Sequence, residues 1–335
     1  MPSTDTRYHQ LLNWLGTDLG YPVESIAPAS TDASFRRYYR IGADGQSLIA
    51  MDAPPPRENV RPFVAVAELL RDAGVQTPKV YAVDAERGFV LLSDLGERNY
   101  LDALDETTAE PLYGAALATL LALQQGVNIL ETSLPAYDAH LLHVELNIFR
   151  EWLLGRWLGL ELSAEESAML AGTWQVLIDS ALEQPRVCVH RDYHSRNLMV
   201  TGQAHPGVLD FQDAVIGPIT YDLASLLRDC YIAWPVERVQ GWMSAYRDQL
   251  LNAGLLPSSD VHRFQRWFDL MGMQRHLKAA GIFARLKLRD GKPGYLKDIP
   301  RTLSYVSEVG PRYPELAGFM RFLDSRVLPR LAEAA

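Results

Sequence analysis

The stretch His190-Arg191-Asp192-Tyr193-His194-Ser195-Arg196-Asn197, followed by Leu209-Asp210-Phe211, constrains the fold of this chain more than any other. An acid is followed five residues later by an amide, and thirteen residues after that by a second acid. Apolar runs flank them: Val187-Cys188-Val189 before, then Leu198-Met199-Val200 and Val208-Leu209. Polar side chains at the ends of short buried strands are held rigidly and can be aimed into one cleft. The intervals are those of the H-R-D-x-x-x-x-N and D-F-G motifs, so the expected chemistry is phosphoryl transfer. Asp192 is expected to accept the proton of an attacking hydroxyl and, above all, to orient it. Asn197 and Asp210 offer hard oxygen atoms suited to Mg²⁺ held against the phosphates of ATP. His194 can place a donor near the transferred phosphate, and His190 can brace the loop backbone. Asp213 is expected to cap the next segment, and Asp222, near a helix start, to act as an N-terminal cap.

The chain has 335 residues, enough for a large core, and a net charge of −9, which argues against a broad nucleic-acid footprint. Any nucleotide pocket must therefore gather its positive charge locally. Two cysteines, Cys188 and Cys230, form no disulfide scaffold and no metal-ligand spacing, so a reduced, cytoplasmic setting is expected. Met1-Pro2-Ser3-Thr4-Asp5 lacks a basic region followed by an apolar one, and no uninterrupted apolar window is long enough to span a bilayer. Neither a signal peptide nor a membrane partner is expected.

Local patterns predict an α+β chain of two lobes. Residues 4–19 carry an amphipathic stripe, and strand-like runs follow near 23–29, 35–41 and 47–52, separated by turn signals. A helix over 58–73 ends at Gly74, and two more strands cover Lys79–Val83 and Gly88–Leu92. Residues 1–95 are thus a small antiparallel-sheet lobe for nucleotide, and 96–335 a large, mostly helical lobe for catalysis and acceptor. Helices are predicted near 107–125, 138–159 and 163–183. A strand at Arg186–Val189 leads into the motif, a short hairpin follows it, and the chain beyond about 219 is helical with Gly-Pro or Pro-Gly breaks at 217–218 and 291–294.

The motif, with His194 two residues after the acid, resembles that of the aminoglycoside phosphotransferase superfamily, small-molecule kinases of protein-kinase-like fold. Leu209-Asp210-Phe211-Gln212-Asp213, Gly217-Pro218, Tyr221-Asp222-Leu223-Ala224 and Gly74-Val75-Gln76-Thr77-Pro78-Lys79-Val80 carry the same resemblance. Within it, four stretches look like the bacterial cell-wall-recycling kinases that phosphorylate N-acetylmuramate and N-acetylglucosamine at the anomeric hydroxyl. These are residues 32–40, 51–55, 91–96 and 145–152. The resemblance implies ATP and Mg²⁺ as cofactors and an amino sugar as acceptor, with no nucleic-acid partner.

Two departures stand out. The phosphate turn is Ser30-Thr31-Asp32-Ala33-Ser34 rather than a glycine-rich loop, although small residues still allow close backbone approach to phosphate. Met51 stands where the strand lysine of a kinase would be, which leaves Glu68 on the following helix without that partner. Arg36 or Arg37 is expected to supply the missing cation. Adenine is expected against the backbone of Leu92, Ser93, Asp94 and Leu95. Glu145 and Trp152, seven apart and so on one helical face, are candidates with Asn147 to read the sugar, and Arg196 is available for the lactyl carboxylate of muramate. Other readings remain: a kinase for an aminoglycoside, an amino alcohol or another sugar hydroxyl, or a kinase fold serving as a binding module.

Overall fold

The computed structural model describes residues 5–30, 35–55 and 57–334. The expected phosphate turn at Thr31, Asp32, Ala33 and Ser34 lies outside the described residues, and Ser30 is placed only as the last residue of a strand.

The chain opens with α1 (Thr6–Asn13), whose first turn is capped by the Asp5 carboxylate accepting from Arg7 N and Tyr8 N. The predicted single helix over 4–19 instead changes at Trp14 into a π turn over Trp14–Asp18. Then come β1 (Ser25–Ser30), β2 (Arg37–Ala43), β3 (Gln46–Asp52), α2 (Val60–Asp72), β4 (Val80–Asp84) and β5 (Phe89–Ser93). The strands form one antiparallel sheet in the order β1-β2-β3-β5-β4.

Strand alternation divides this sheet into two faces. On the outer face Ile41, Leu48, Ala50, Phe89 and Leu91 pack under Leu11, Trp14 and Leu15 of the N-terminal helical segment. On the inner face Met51, Val90 and Leu92 pack with Phe63, Val66, Ala67 and Leu70 of α2. Gly88, at φ +74°, passes so close to Ala53 O that a Cβ there would stand 2.0 Å from it.

The second lobe begins with α3 (Tyr100–Ala103), α4 (Ala109–Gly126) and α5 (Ala139–Ile148), which continues as a π-helix over Phe149–Trp157. After α6 (Ala164–Leu182), β6 (Arg186–Val189) runs into the motif. The two-residue strands β7 (Leu198–Met199) and β8 (Gly207–Val208) form the predicted hairpin. Gly217-Pro218, expected as a break, instead ends a strand, β9 (Val215–Pro218), that pairs antiparallel with β6. Pro218 sits opposite Arg186 at the strand terminus, where a missing N–H is tolerated.

The remaining helices include α7 (Tyr221–Leu227), α8 (Val236–Asn252), α9 (Phe264–Asp290) and α10 (Ile299–Val309). The 27-residue α9 is the spine of this lobe, touching α5, α6, α7 and α10. It approaches the α5–π junction so closely that a Cβ at Gly281 would lie 2.6 Å from Ile148 C and Phe149 N.

Candidate active site

The motif occupies the connection between β6 and β7. Its backbone is held from below by Asp222 of α7. That fully buried carboxylate accepts from His190 N at 2.7 Å and Arg191 N at 3.0 Å. Asp222 therefore does not cap its own helix, as its position near the helix start suggested; Thr220 holds that place. Burial raises the Asp222 carboxyl to about 7, against the two N–H donors that favour its ionised form. His190 acts as the expected brace: Nε2 pairs with Leu209 O at 2.9 Å and Nδ1 faces Asp192 N at 3.3 Å. Burial drops its pKa to about 4, so it is neutral at ordinary pH.

Asn197 links the Asp192 backbone to the Asp210 carboxylate. Asn197 Nδ2 donates to Asp192 O at 2.9 Å and reaches Asp210 Oδ2 at 3.4 Å. Its carbonyl Oδ1 is thereby left as the end without a donor among the described residues. Asp210 adopts φ +62°, a left-handed conformation that Asp tolerates better than most residues, and this turns its carboxylate back toward Asn197. Gln212 Nε2 steadies Asp210 Oδ1 at 2.8 Å. The Asp192 carboxylate makes no hydrogen bond or ion pair among the described residues. Burial pushes its pKa up, but nearby cations, Lys278 first and Arg275 with it, outweigh this and hold it below the ordinary value.

Among the described residues no group of three or more His, Cys, Asp or Glu side chains could hold a metal ion by itself. One amide oxygen and one carboxylate suit Mg²⁺ instead, a hard cation that completes its shell with phosphate oxygens and water.

Sequence reasoning missed the supports on α9. Glu145 of α5 is 2% exposed and is bonded on all sides within the protein. Its Oε1 meets Arg191 Nη2 at 2.5 Å and Lys278 Nζ at 2.9 Å; its Oε2 accepts from Tyr137 and from Gln274 at 3.1 Å. Burial opposes its charge, but Lys278 and Arg191 lower its pKa to about 2. The expectation that Glu145 reads the sugar thus gives way to an internal role. Arg275 donates to Arg191 O at 3.1 Å and lies over the Tyr221 ring. The legible signal was Gln274-Arg275 and Lys278 set among the apolar residues of a helix that is buried over most of its length.

The other expected residues are scattered. His194 has a pKa lowered by burial, a buried Nδ1 without a partner among the described residues, and its ring edge against Tyr231. Arg37 points away from the cleft. It lies on the outer face of the sheet, paired with Asp52 and with Asp5 at the start of α1, because strand parity sets it opposite to Arg36. Arg36 remains on the inner face, paired with Glu58 at 3.0 Å. Met51 is wholly buried and Glu68 exposed, so neither recreates the kinase ion pair.

Leu92 is buried at the end of β5, and the Ser93 hydroxyl accepts from Lys79 N. Ser93 and Leu95 line a cavity of about 320 Å³ behind the crossing. Asp94 is drawn to Arg40 and Ser47, which ties the inter-lobe crossing to the sheet. Asn147 accepts from Trp174 Nε1 at 3.4 Å, and Trp152 lies under Arg156. The π-helix from Phe149 turns less per residue than an α-helix, so Trp152 does not stay on the stripe of Glu145.

Comparison with known proteins places this geometry. Residues 25–267 match the phosphotransferase enzyme family. The chain belongs to that family. It is 48% identical to the N-acetylmuramate/N-acetylglucosamine kinase of Pseudomonas putida, over 95% of this chain and 96% of that one. The protein of the same name from Pseudomonas aeruginosa is 48% identical over 99% and 100%. That from Neisseria meningitidis is 43% identical over 93% of each. Among solved structures, the choline kinase of Streptococcus pneumoniae aligns with a TM-score of 0.61 at 14% identity, covering 90% of this chain and all of that one. An ADP-bound aminoglycoside phosphotransferase aligns with a TM-score of 0.58 at 16% identity, covering 88% and 97%. The fold is that of these protein-kinase-like enzymes. Among the described residues no helix is long and apolar enough to cross a membrane.

Proposed function

We propose that this phosphotransferase moves the γ-phosphoryl group of ATP to the anomeric hydroxyl of N-acetylmuramate and N-acetylglucosamine, yielding sugar 1-phosphates. The observation that carries the reading is near-full-length identity of 43–48% to three kinases named for these two sugars, joined to the hydrogen bonds by which Asn197 links the Asp192 backbone to the Asp210 carboxylate. The nucleotide lies between the lobes, with adenine against the crossing at Leu92–Leu95. Asn197 Oδ1 and the Asp210 carboxylate are the metal ligands. Mg²⁺ bound there would offset charge on the β- and γ-phosphates.

Asp192 receives the acceptor hydroxyl. Its low pKa keeps it ionised, so it serves first to orient that hydroxyl for in-line attack and only then to take its proton. An anomeric hydroxyl suits so weak a base, because the ring oxygen withdraws electron density and makes it more acidic than other sugar hydroxyls. The setting is the cytoplasm, where sugars released from the cell wall meet ATP.

The test is ³¹P NMR of the product formed from each sugar with Mg-ATP. A phosphomonoester coupled to the anomeric proton is expected. Phosphate at carbon 6, or ADP release without a sugar phosphate, overturns the assignment.

A further inference from the structure

Arg196 sits four residues after Asp192 and immediately before Asn197 on the same loop. Its guanidinium carbon lies 3.7 Å from the centre of the Tyr231 ring and 5.6 Å from that of Tyr295. Three separate parts of the second lobe meet here. Tyr231 follows α7, and Tyr295 belongs to a 3₁₀ turn over Pro293–Asp298. Phe283 of α9 stacks on Tyr295 at 5.8 Å and reaches Tyr231 at 6.3 Å, so the two rings are set from behind. A single carboxylate fixes the register between loop and ring: Asp229 Oδ2 accepts from Ser195 N at 2.9 Å and Oδ1 from Tyr231 N at 2.8 Å. His194, on the same loop, packs T-shaped against the Tyr231 ring with centroids 5.3 Å apart.

What distinguishes Arg196 is its unused donors. Arg191 and Arg40, which also border the cleft, are matched to Glu145 and Asp94. Among the described residues, the Arg196 guanidinium makes neither a hydrogen bond nor an ion pair. Asp298 feels its charge, yet the ion pair of Asp298 is with Arg301 at 3.6 Å. A guanidinium lying against an aromatic face leaves its N–H fork, which lies in its own plane, free to donate. Such a fork matches a carboxylate through two parallel bonds. In a chain of net charge −9, an unpaired cation kept in place by ring stacking is free to meet an anion.

We propose that Arg196, clamped by Tyr231 and Tyr295, binds a carboxylate on the acceptor sugar and so sets the preference for an acidic sugar over its neutral counterpart. The inference rests on the amino-sugar reading above. With the anomeric hydroxyl at Asp192, the lactyl ether of N-acetylmuramate projects from the carbon two positions along the ring, toward the far end of the loop. N-acetylglucosamine has only a hydroxyl there.

The experiment measures kcat/KM for both sugars in the parent, in Arg196→Gln and in Arg196→Lys. The ratio of N-acetylmuramate to N-acetylglucosamine is expected to fall roughly 10- to 100-fold in Arg196→Gln, the range for a charge-assisted hydrogen-bonded pair. A smaller fall is expected in Arg196→Lys, which keeps charge without the fork. A second measurement needs no variant: the parent should discriminate against the uncharged lactyl methyl ester of N-acetylmuramate by a similar factor, mainly in KM. An unchanged ratio in Arg196→Gln, or a parent that handles ester and acid alike, overturns the inference. A parent that phosphorylates neither sugar refutes the amino-sugar reading itself, and the inference with it.

Discussion

Replacing Glu145 by Gln tests the internal network most directly. Glu145 is 2% exposed and its carboxylate faces two cations, Arg191 and Lys278, whose side chains are 19% and 11% exposed. Glutamine keeps the shape but removes the charge, so two buried cations lose their shared counter-ion and one amide N–H₂ is turned toward a donor. Breaking a buried pair from one side costs about 3–5 kcal/mol. At about 2 °C per kcal/mol for a chain this long, the melting temperature should fall by roughly 6–10 °C. Turnover should fall as well, because Arg191 sits at φ +77° next to Asp192 and loses the ion pair that holds it there.

Differential scanning calorimetry and steady-state kinetics read both effects. Adding Lys278→Met to the variant should then cost less than it does in the parent, since one unmatched cation has been removed. A melting shift below about 2 °C, or strict additivity of the two substitutions, would refute the reasoning.

Other expectations follow from the same geometry. Asp192→Asn should lower kcat by roughly 100- to 10,000-fold while ADP binding persists in calorimetry; retained turnover would remove Asp192 from the chemistry. Asp222→Ala leaves His190 N and Arg191 N buried without an acceptor and should cost about 1–3 kcal/mol for each in denaturant unfolding; a cost under about 1 kcal/mol would show the loop is held otherwise. Gly281→Ala pushes α9 off the α5–π junction and should cost about 1–3 kcal/mol by overpacking, visible as a lower melting temperature.

Glu145 keeps its charge to about pH 2 in the folded protein, against an ordinary value of 4.5. On acidification the unfolded chain takes up that proton first. The network's stabilisation is therefore present above about pH 4.5 and lost as pH falls toward about 2. Melting temperatures across that window should fall less steeply in Glu145→Gln than in the parent.

Much of this protein could be read in one dimension because its candidate site is local. Asp192, Asn197 and Asp210 lie within one short segment, and the apolar runs around them are the strands that aim them. The five strands and α2 of the first lobe were likewise legible from alternation and turn residues.

Apart from the local π turns, the errors have one cause: they concern partners brought together from distant parts of the chain. Gly217-Pro218 looks like a break until β6 supplies the other half of a ladder. Asp222 resembles a helix cap until the loop above it is seen to need an acceptor. Arg37 shares a sequence neighbourhood with Arg36 yet lies on the opposite face of the sheet, where Asp52 and α1 claim it. Glu145 suits a sugar reader until Arg191 and, across more than a hundred residues, Lys278 close on it.

The order of residues by itself determined which polar side chains are brought to one place, since Asp192, Asn197 and Asp210 are spaced along one short segment. Only the tertiary structure decided which charges are already matched inside the protein and which, like that of Arg196, are not. Burial and pairing depend on segments that the chain separates and the fold reunites.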